Sequence, residues 1–127
     1  MALNAPLRIL IVEDHDDSRD ALQRLLERQD HFVFGAGTIA EALALANALA
    51  LDLVIADLGL PDGDGCDLMR TLRETRGLPG IAVSGHVEDE HRQRVHRAGF
   101  SVHLCKPIAF QQLADAIEKC LADPGPR

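Results

Sequence analysis

Leu53-Val54-Ile55-Ala56 is an unbroken apolar run that stops at an acid, Asp57. Three other short apolar runs end the same way. Leu7 to Val12 runs into Glu13-Asp14, Ile81-Ala82-Val83 into Ser84, and a short run through Val102 and Leu104 into Lys106-Pro107. Runs this short and this apolar suit strands covered on both faces. Open parallel sheets place their ligand sites beyond the C-terminal ends of such strands. Three carboxylates, a hydroxyl and an ammonium brought together there point to chemistry on a phosphoryl group and a metal ion.

The segments between the runs change to helical spacing. Over 16–29, Ala21, Leu22, Leu25 and Leu26 share one face, while Arg19, Asp20, Gln23, Arg24, Glu27 and Arg28 share the other. Phe32-Val33-Phe34 predicts a second strand. Thr38 with Glu41 forms a capping box at the head of a helix that continues through Ala42, Leu45, Ala46 and Leu49. Leu60-Pro61-Asp62-Gly63-Asp64-Gly65 reads as a turn. A third helix runs to about Thr75 with Leu68, Met69 and Leu72 inward. A fourth, mostly polar, spans 88–98 with Val95 and Ala98 as its apolar contacts. A fifth carries Phe110, Leu113, Ala114, Ile117 and Leu121. Strands alternating with helices imply parallel pairing and right-handed crossovers. The expected architecture is α/β: a flavodoxin-like (βα)5 three-layer sandwich whose five-stranded sheet has the order 2-1-3-4-5. That order makes strands one and three neighbours, and so gathers Glu13, Asp14 and Asp57.

The 127 residues suit one domain, expected over 7–122, with 1–6 an N-terminal extension and 123–127 a tail or linker stub. No apolar stretch approaches the roughly 20 residues that span a bilayer, and Met1 to Leu10 lacks signal-peptide features, so a cytoplasmic, non-membrane protein is expected. The net charge of −7 and the absence of Trp and Tyr disfavour direct nucleic-acid binding. Cys66, Cys105 and Cys120 form no metal-binding or disulfide pattern. They read as packing thiols, with Cys66 the one expected at the surface. His86, His91 and His96 recur every five residues, a spacing that does not stack them on one helix face as zinc ligands. Asp62-Gly63-Asp64-Gly65 lacks the further ligands and closing Glu of a calcium loop.

Val12-Glu13-Asp14, Asp57 followed by Leu60-Pro61-Asp62-Gly63-Asp64-Gly65, Ser84-Gly85 and Lys106-Pro107 stand in order at successive strand ends. Over residues 7–122 the chain thereby resembles a response-regulator receiver domain of two-component and phosphorelay signalling. Gly99 to Leu104 looks most like the receivers attached to hybrid histidine kinases. The resemblance implies that Asp57 is the phosphoacceptor, that Lys106 and Ser84 contact the added phosphoryl group, and that the Lys106-Pro107 bond is cis. It implies Mg²⁺ held by Asp14, Asp57 and the backbone carbonyl of Gly59, with Glu13 acting mainly through water. It also implies a histidine kinase or histidine phosphotransfer protein docking near the first helix, and a dimer or output domain engaged through 88–122.

The residue types suit this chemistry. A carboxylate can attack phosphorus. Three crowded carboxylates raise each other's pKa unless cations intervene, and Mg²⁺ favours one or two carboxylates with phosphate and water. The chain is expected to be a switch rather than an enzyme. A phosphatase of the haloacid-dehalogenase kind would need an Asp two residues after its nucleophile, where this chain has Gly59. A non-phosphorylated docking module would not need the full set of site residues. Two features depart from the family. His103 stands three residues before the lysine, where Tyr or Phe is usual, and is expected to act with Ser84 as the switch. Gly59 and His86 each stand two residues beyond a site residue, at positions that the resemblance implies flank the route of an attacking water.

Overall fold

The computed structural model describes residues 6–85 and 89–122, with the backbone alone at 89–91. His86, the side chain of His91 and the 123–127 tail therefore lie outside the described residues. Five parallel strands form one sheet: β1 (Arg8–Val12), β2 (Phe32–Ala36), β3 (Leu53–Asp57), β4 (Gly80–Ser84) and β5 (Phe100–Cys105). Their spatial order is 2-1-3-4-5, as the alternating pattern predicts. Five helices follow them: α1 (Asp16–Glu27), α2 (Ile39–Ala48), α3 (Gly65–Arg76), α4 (Asp89–Arg97) and α5 (Phe110–Ala122). Among the described residues no helix is long and apolar enough to cross a membrane.

The unbroken apolar character of the strands has a direct cause. Leu10, Val12, Val54, Ala56 and Ala82 pack under α2, α3 and α4. Their neighbours Ile9, Ile11, Ile55, Ile81 and Val83 pack under α1 and α5. Alternate residues point to opposite faces, and both faces are covered. Burying each large side chain fully contributes about 1.5–3 kcal/mol, so in the central strands β1, β3 and β4 a polar residue is tolerated only toward a strand end. That is where Glu13, Asp57 and Ser84 stand.

Three local departures refine the predicted pattern. α1 stops at Glu27 because the chain turns through Asp30, whose φ is 67°; Asp tolerates this left-handed conformation better than most residues. β5 starts two residues earlier than its apolar spacing suggests. Buried Phe100 pairs with Gly80 across a register shift, which breaks the alternation that marks a strand in sequence. Thr38 caps α2 as expected, its Oγ1 accepting from the Glu41 N–H at 3.1 Å. The Glu41 carboxylate, however, accepts from the N–H of Gly37 at 2.7 Å rather than from that of Thr38. The exposed N–H groups of Ile39 and Ala40 are taken by both carboxylate oxygens of Asp62, at 2.8 and 3.1 Å. These bonds hold the Asp62 carboxyl below its ordinary pKa. Their contribution is therefore present above that ordinary value and is lost as pH falls through the lower, folded one.

The loop after β3 is a small antiparallel hairpin, Gly59–Leu60 against Gly63–Asp64. It folds α3 back so closely that a Cβ on Gly65 would lie 2.3 Å from the Asp57 carbonyl oxygen. A Cβ on Gly59 would meet nothing within 4 Å. Gly65→Ala is thus expected to cost about 1–3 kcal/mol by overpacking, and Gly59→Ala to stay within about 0.5 kcal/mol of wild type. Urea denaturation of the two variants measures the difference.

Candidate functional site

β1 and β3 are neighbours with Val12 opposite Ala56, so Glu13 and Asp57 leave the sheet side by side. Asp57 pairs with Val83, which brings Ser84 next to it on the following strand. Ser84 pairs with Cys105, and the Lys106 N–H donates to the Ser84 carbonyl at 2.9 Å. Register alone thus gathers side chains separated by up to 93 positions in sequence.

Lys106 is the centre of this group. Its Nζ donates to Glu13 Oε1 at 2.6 Å and to Asp57 Oδ2 at 3.1 Å. Glu13 is 2% exposed and Asp57 13%. Burial opposes the charge on Lys106, but hydrogen bonds and charge from the two carboxylates outweigh it and raise its pKa above the ordinary lysine value. Asp57 Oδ1 accepts from the N–H of Gly59 at 3.1 Å. Lys106-Pro107 is cis, as the resemblance implies.

Glu13, Asp14 and Asp57 each bring a carboxylate oxygen into one group whose candidate ligand atoms lie within 4.8 Å of one another. His15 joins them, a residue that sequence reasoning passed over. Its Nδ1 lies 3.3 Å from Glu13 and 3.5 Å from Asp14. The imidazole is mostly exposed, at the residue preceding α1. Its only sequence signal was adjacency to Glu13-Asp14. Hard oxygen donors in this number fit a small divalent cation such as Mg²⁺. Arg19 was also missed: it donates to the Glu13 carbonyl at 2.7 Å and to Asp16 at 2.6 Å, fixing the end of β1 against α1.

Ser84 is buried, and its Oγ lies 2.7 Å from His103 Nε2. The two side chains expected to act together are therefore hydrogen-bonded. His103 pairs with Ala82 on the α4 side of the sheet and lines a cleft of about 340 Å³ with Arg92, Val95, His96 and Val102. Asp64 caps α3 through the Cys66 N–H at 2.8 Å and also forms an ion pair with Arg94 of α4.

The cysteine expectation is corrected. Cys66 is fully buried in the first turn of α3, and Cys105, at the end of β5, is the exposed one. Burial pushes the Cys66 thiol pKa up, aided by Asp67 and opposed by Arg70. The turn signals around Cys66 hid a helix that begins one residue earlier, at Gly65.

The model of the response regulator receiver domain family matches residues 9–118. An uncharacterized 14.6 kDa protein of Leptolyngbya boryana is 35% identical over 124 residues, covering 94% of this chain and 95% of that one. The KDP operon transcriptional regulatory protein KdpE of Escherichia coli is 38% identical over 105 residues, covering 83% of this chain but 47% of KdpE. This chain thus spans about half of that regulator. The non-phosphorylated HemR receiver domain from Leptospira biflexa superposes with a TM-score of 0.83 at 31% identity, covering 97% of this chain and 99% of that one.

Removing the cation tests the balance of charge. Lys106→Met leaves buried Glu13 beside Asp57 without its counter-ion, and is expected to destabilise the fold by about 1–3 kcal/mol at pH 7. In the wild type the Lys106 contribution is complete below the ordinary lysine pKa of about 10.4 and is lost as pH rises through the higher, folded value. Urea denaturation of both proteins at pH 7 and from about pH 10 to about pH 12 reads this loss.

Proposed function

The chain belongs to the response regulator receiver domain family, and from that premise we propose that it is a phosphoacceptor switch in a two-component phosphorelay. The observation that carries the reading is Lys106 Nζ bridging Glu13 and Asp57 at the C-terminal edge of the sheet. An ammonium so placed offsets the repulsion between neighbouring carboxylates while leaving Asp57 an oxygen to act as nucleophile.

An Asp57 oxygen attacks the phosphorus of a phosphohistidine on a histidine kinase or histidine phosphotransfer protein. The O–P bond forms, the P–N bond breaks, and the donor imidazole leaves with the electron pair and takes up a proton from solvent. Lys106 neutralises charge on the transferred group, and Ser84 donates a hydrogen bond to it. Asp14 and Asp57, with the Gly59 carbonyl, would hold Mg²⁺; Glu13, already paired with Lys106, would act on it through water. When bound, Mg²⁺ supplies positive charge against the carboxylates and the phosphoryl oxygens. Gly59 offers no side-chain acid or base two residues after Asp57, so the reading is of a switch and not of a phosphatase with multiple turnover.

Docking of the donor near α1 is supported by a mostly apolar cleft of about 460 Å³ beside Lys106, lined by Ala21, Leu22 and Leu25 of α1 and by Pro107 and Ile108. Such a cleft fits an apolar side chain of a donor helix placed beside its phosphohistidine. The face of α4, β5 and α5 is left to an output partner or a second copy. The phosphoryl group changes this face by shifting a pre-existing equilibrium through Ser84 and His103.

Incubation with acetyl phosphate or a phosphorylated donor and Mg²⁺ is expected to label the wild type at one site. Asp57→Ala is expected to take up no label, and chelation of the metal to suppress labelling of the wild type. Undiminished labelling of Asp57→Ala would overturn the assignment.

A further inference from the structure

The geometry points to His103 as a hydrogen-bond donor that aims the Ser84 hydroxyl at the phosphoryl group. This rests on the reading of Asp57 as phosphoacceptor and Ser84 as its contact. Ser84 Oγ and His103 Nε2 are 2.7 Å apart, and Ser84 is buried. A serine hydroxyl has one proton and can accept through its lone pairs. The oxygens of an ionised phosphoryl group only accept. Once Ser84 bonds to that group its single proton is committed there, and Oγ can only accept from His103. The proton of the Ser84–His103 bond must then sit on Nε2.

A Tyr or Phe ring cannot do this in the same way. Phe has no donor, and Tyr carries its hydroxyl beyond the ring, farther from the backbone than an imidazole nitrogen. His103 is held in place by strand register, since it pairs with Ala82 two positions before Ser84. The imidazole thus forms a chain, Nε2–H to Oγ and O–H to the phosphoryl oxygen, in which each bond polarises the next. His103 also lines the cleft under α4, with Arg92, Val95 and His96. His103 is a positioning residue: it acts on the phosphoryl group through Ser84 and joins that contact to the α4–β5 face.

Beryllofluoride, which mimics a phosphoryl group on a carboxylate, with Mg²⁺ allows the test on the whole chain. Fluorine NMR reports whether beryllofluoride is bound, and ¹⁵N shifts of the His103 ring report which nitrogen carries the proton. The expected result is bound beryllofluoride with His103 Nε2 protonated, and loss of that preference in Ser84→Ala. His103→Phe is expected to weaken beryllofluoride binding by about three- to tenfold, the worth of one hydrogen bond. His103→Gln, which has a side-chain N–H donor, is expected to bind within about twofold of wild type. Bound beryllofluoride with Nε2 unprotonated overturns the role of His103 alone, as does wild-type affinity in His103→Phe. Absence of bound beryllofluoride in the wild type overturns the phosphoacceptor reading, and this inference with it.

Discussion

The Lys106 ammonium between Glu13 and Asp57 makes the rest of the site possible. Two unit charges of like sign at about 4 Å repel by about 4 kcal/mol near a protein surface, and strand register sets Glu13 and Asp57 side by side with carboxylate oxygens within 4.8 Å of each other. The ammonium arrives on the far side of the sheet order, from the segment after β5, so the ion pair also ties β1 and β3 to that segment. One interaction thereby offsets the repulsion between the acids, closes the C-terminal edge and presents a cation to any anion that enters.

Around this centre, short polar contacts set where the loops run. Asp62 takes two N–H groups at the head of α2, and Asp64 takes one at the head of α3 while pairing with Arg94. Gly65 lets α3 approach the Asp57 carbonyl where no other side chain fits. The loop that follows Asp57 is thus pinned to neighbouring helices at Asp62 and Asp64. Its N–H at Gly59 donates to Asp57. On the other side, the Ser84–His103 bond connects the same site to the cleft under α4. Position and connection both come from groups that make ordinary hydrogen bonds elsewhere in proteins; their register gives them a common target.

Much of the fold was legible because each element keeps its own period. The doubly buried strands read as continuous apolar runs, and α1, α3 and α5 as amphipathic stripes. What escaped was non-periodic. β5 lost its first residues to a register shift at Gly80, and α1 its last to the turn at Asp30. Cys66 was misplaced because its neighbours are turn formers, while the helix that buries it starts inside the turn. Asp62 looked like a turn residue, and its partners Ile39 and Ala40 are more than 20 positions away, where no local pattern connects them.

By itself the sequence determined the chemistry available and the strand ends at which it is displayed: acids after β1 and β3, a hydroxyl after β4, an ammonium after β5. Short-range periodicity suffices for that, since it records which residues must be buried and where each strand must stop. Only the tertiary structure decided the partners. It paired Lys106 with both Glu13 and Asp57, brought His15 to the carboxylates, and joined Ser84 to His103. These distances depend on strand order and register, where a slip of one residue turns every side chain to the opposite face.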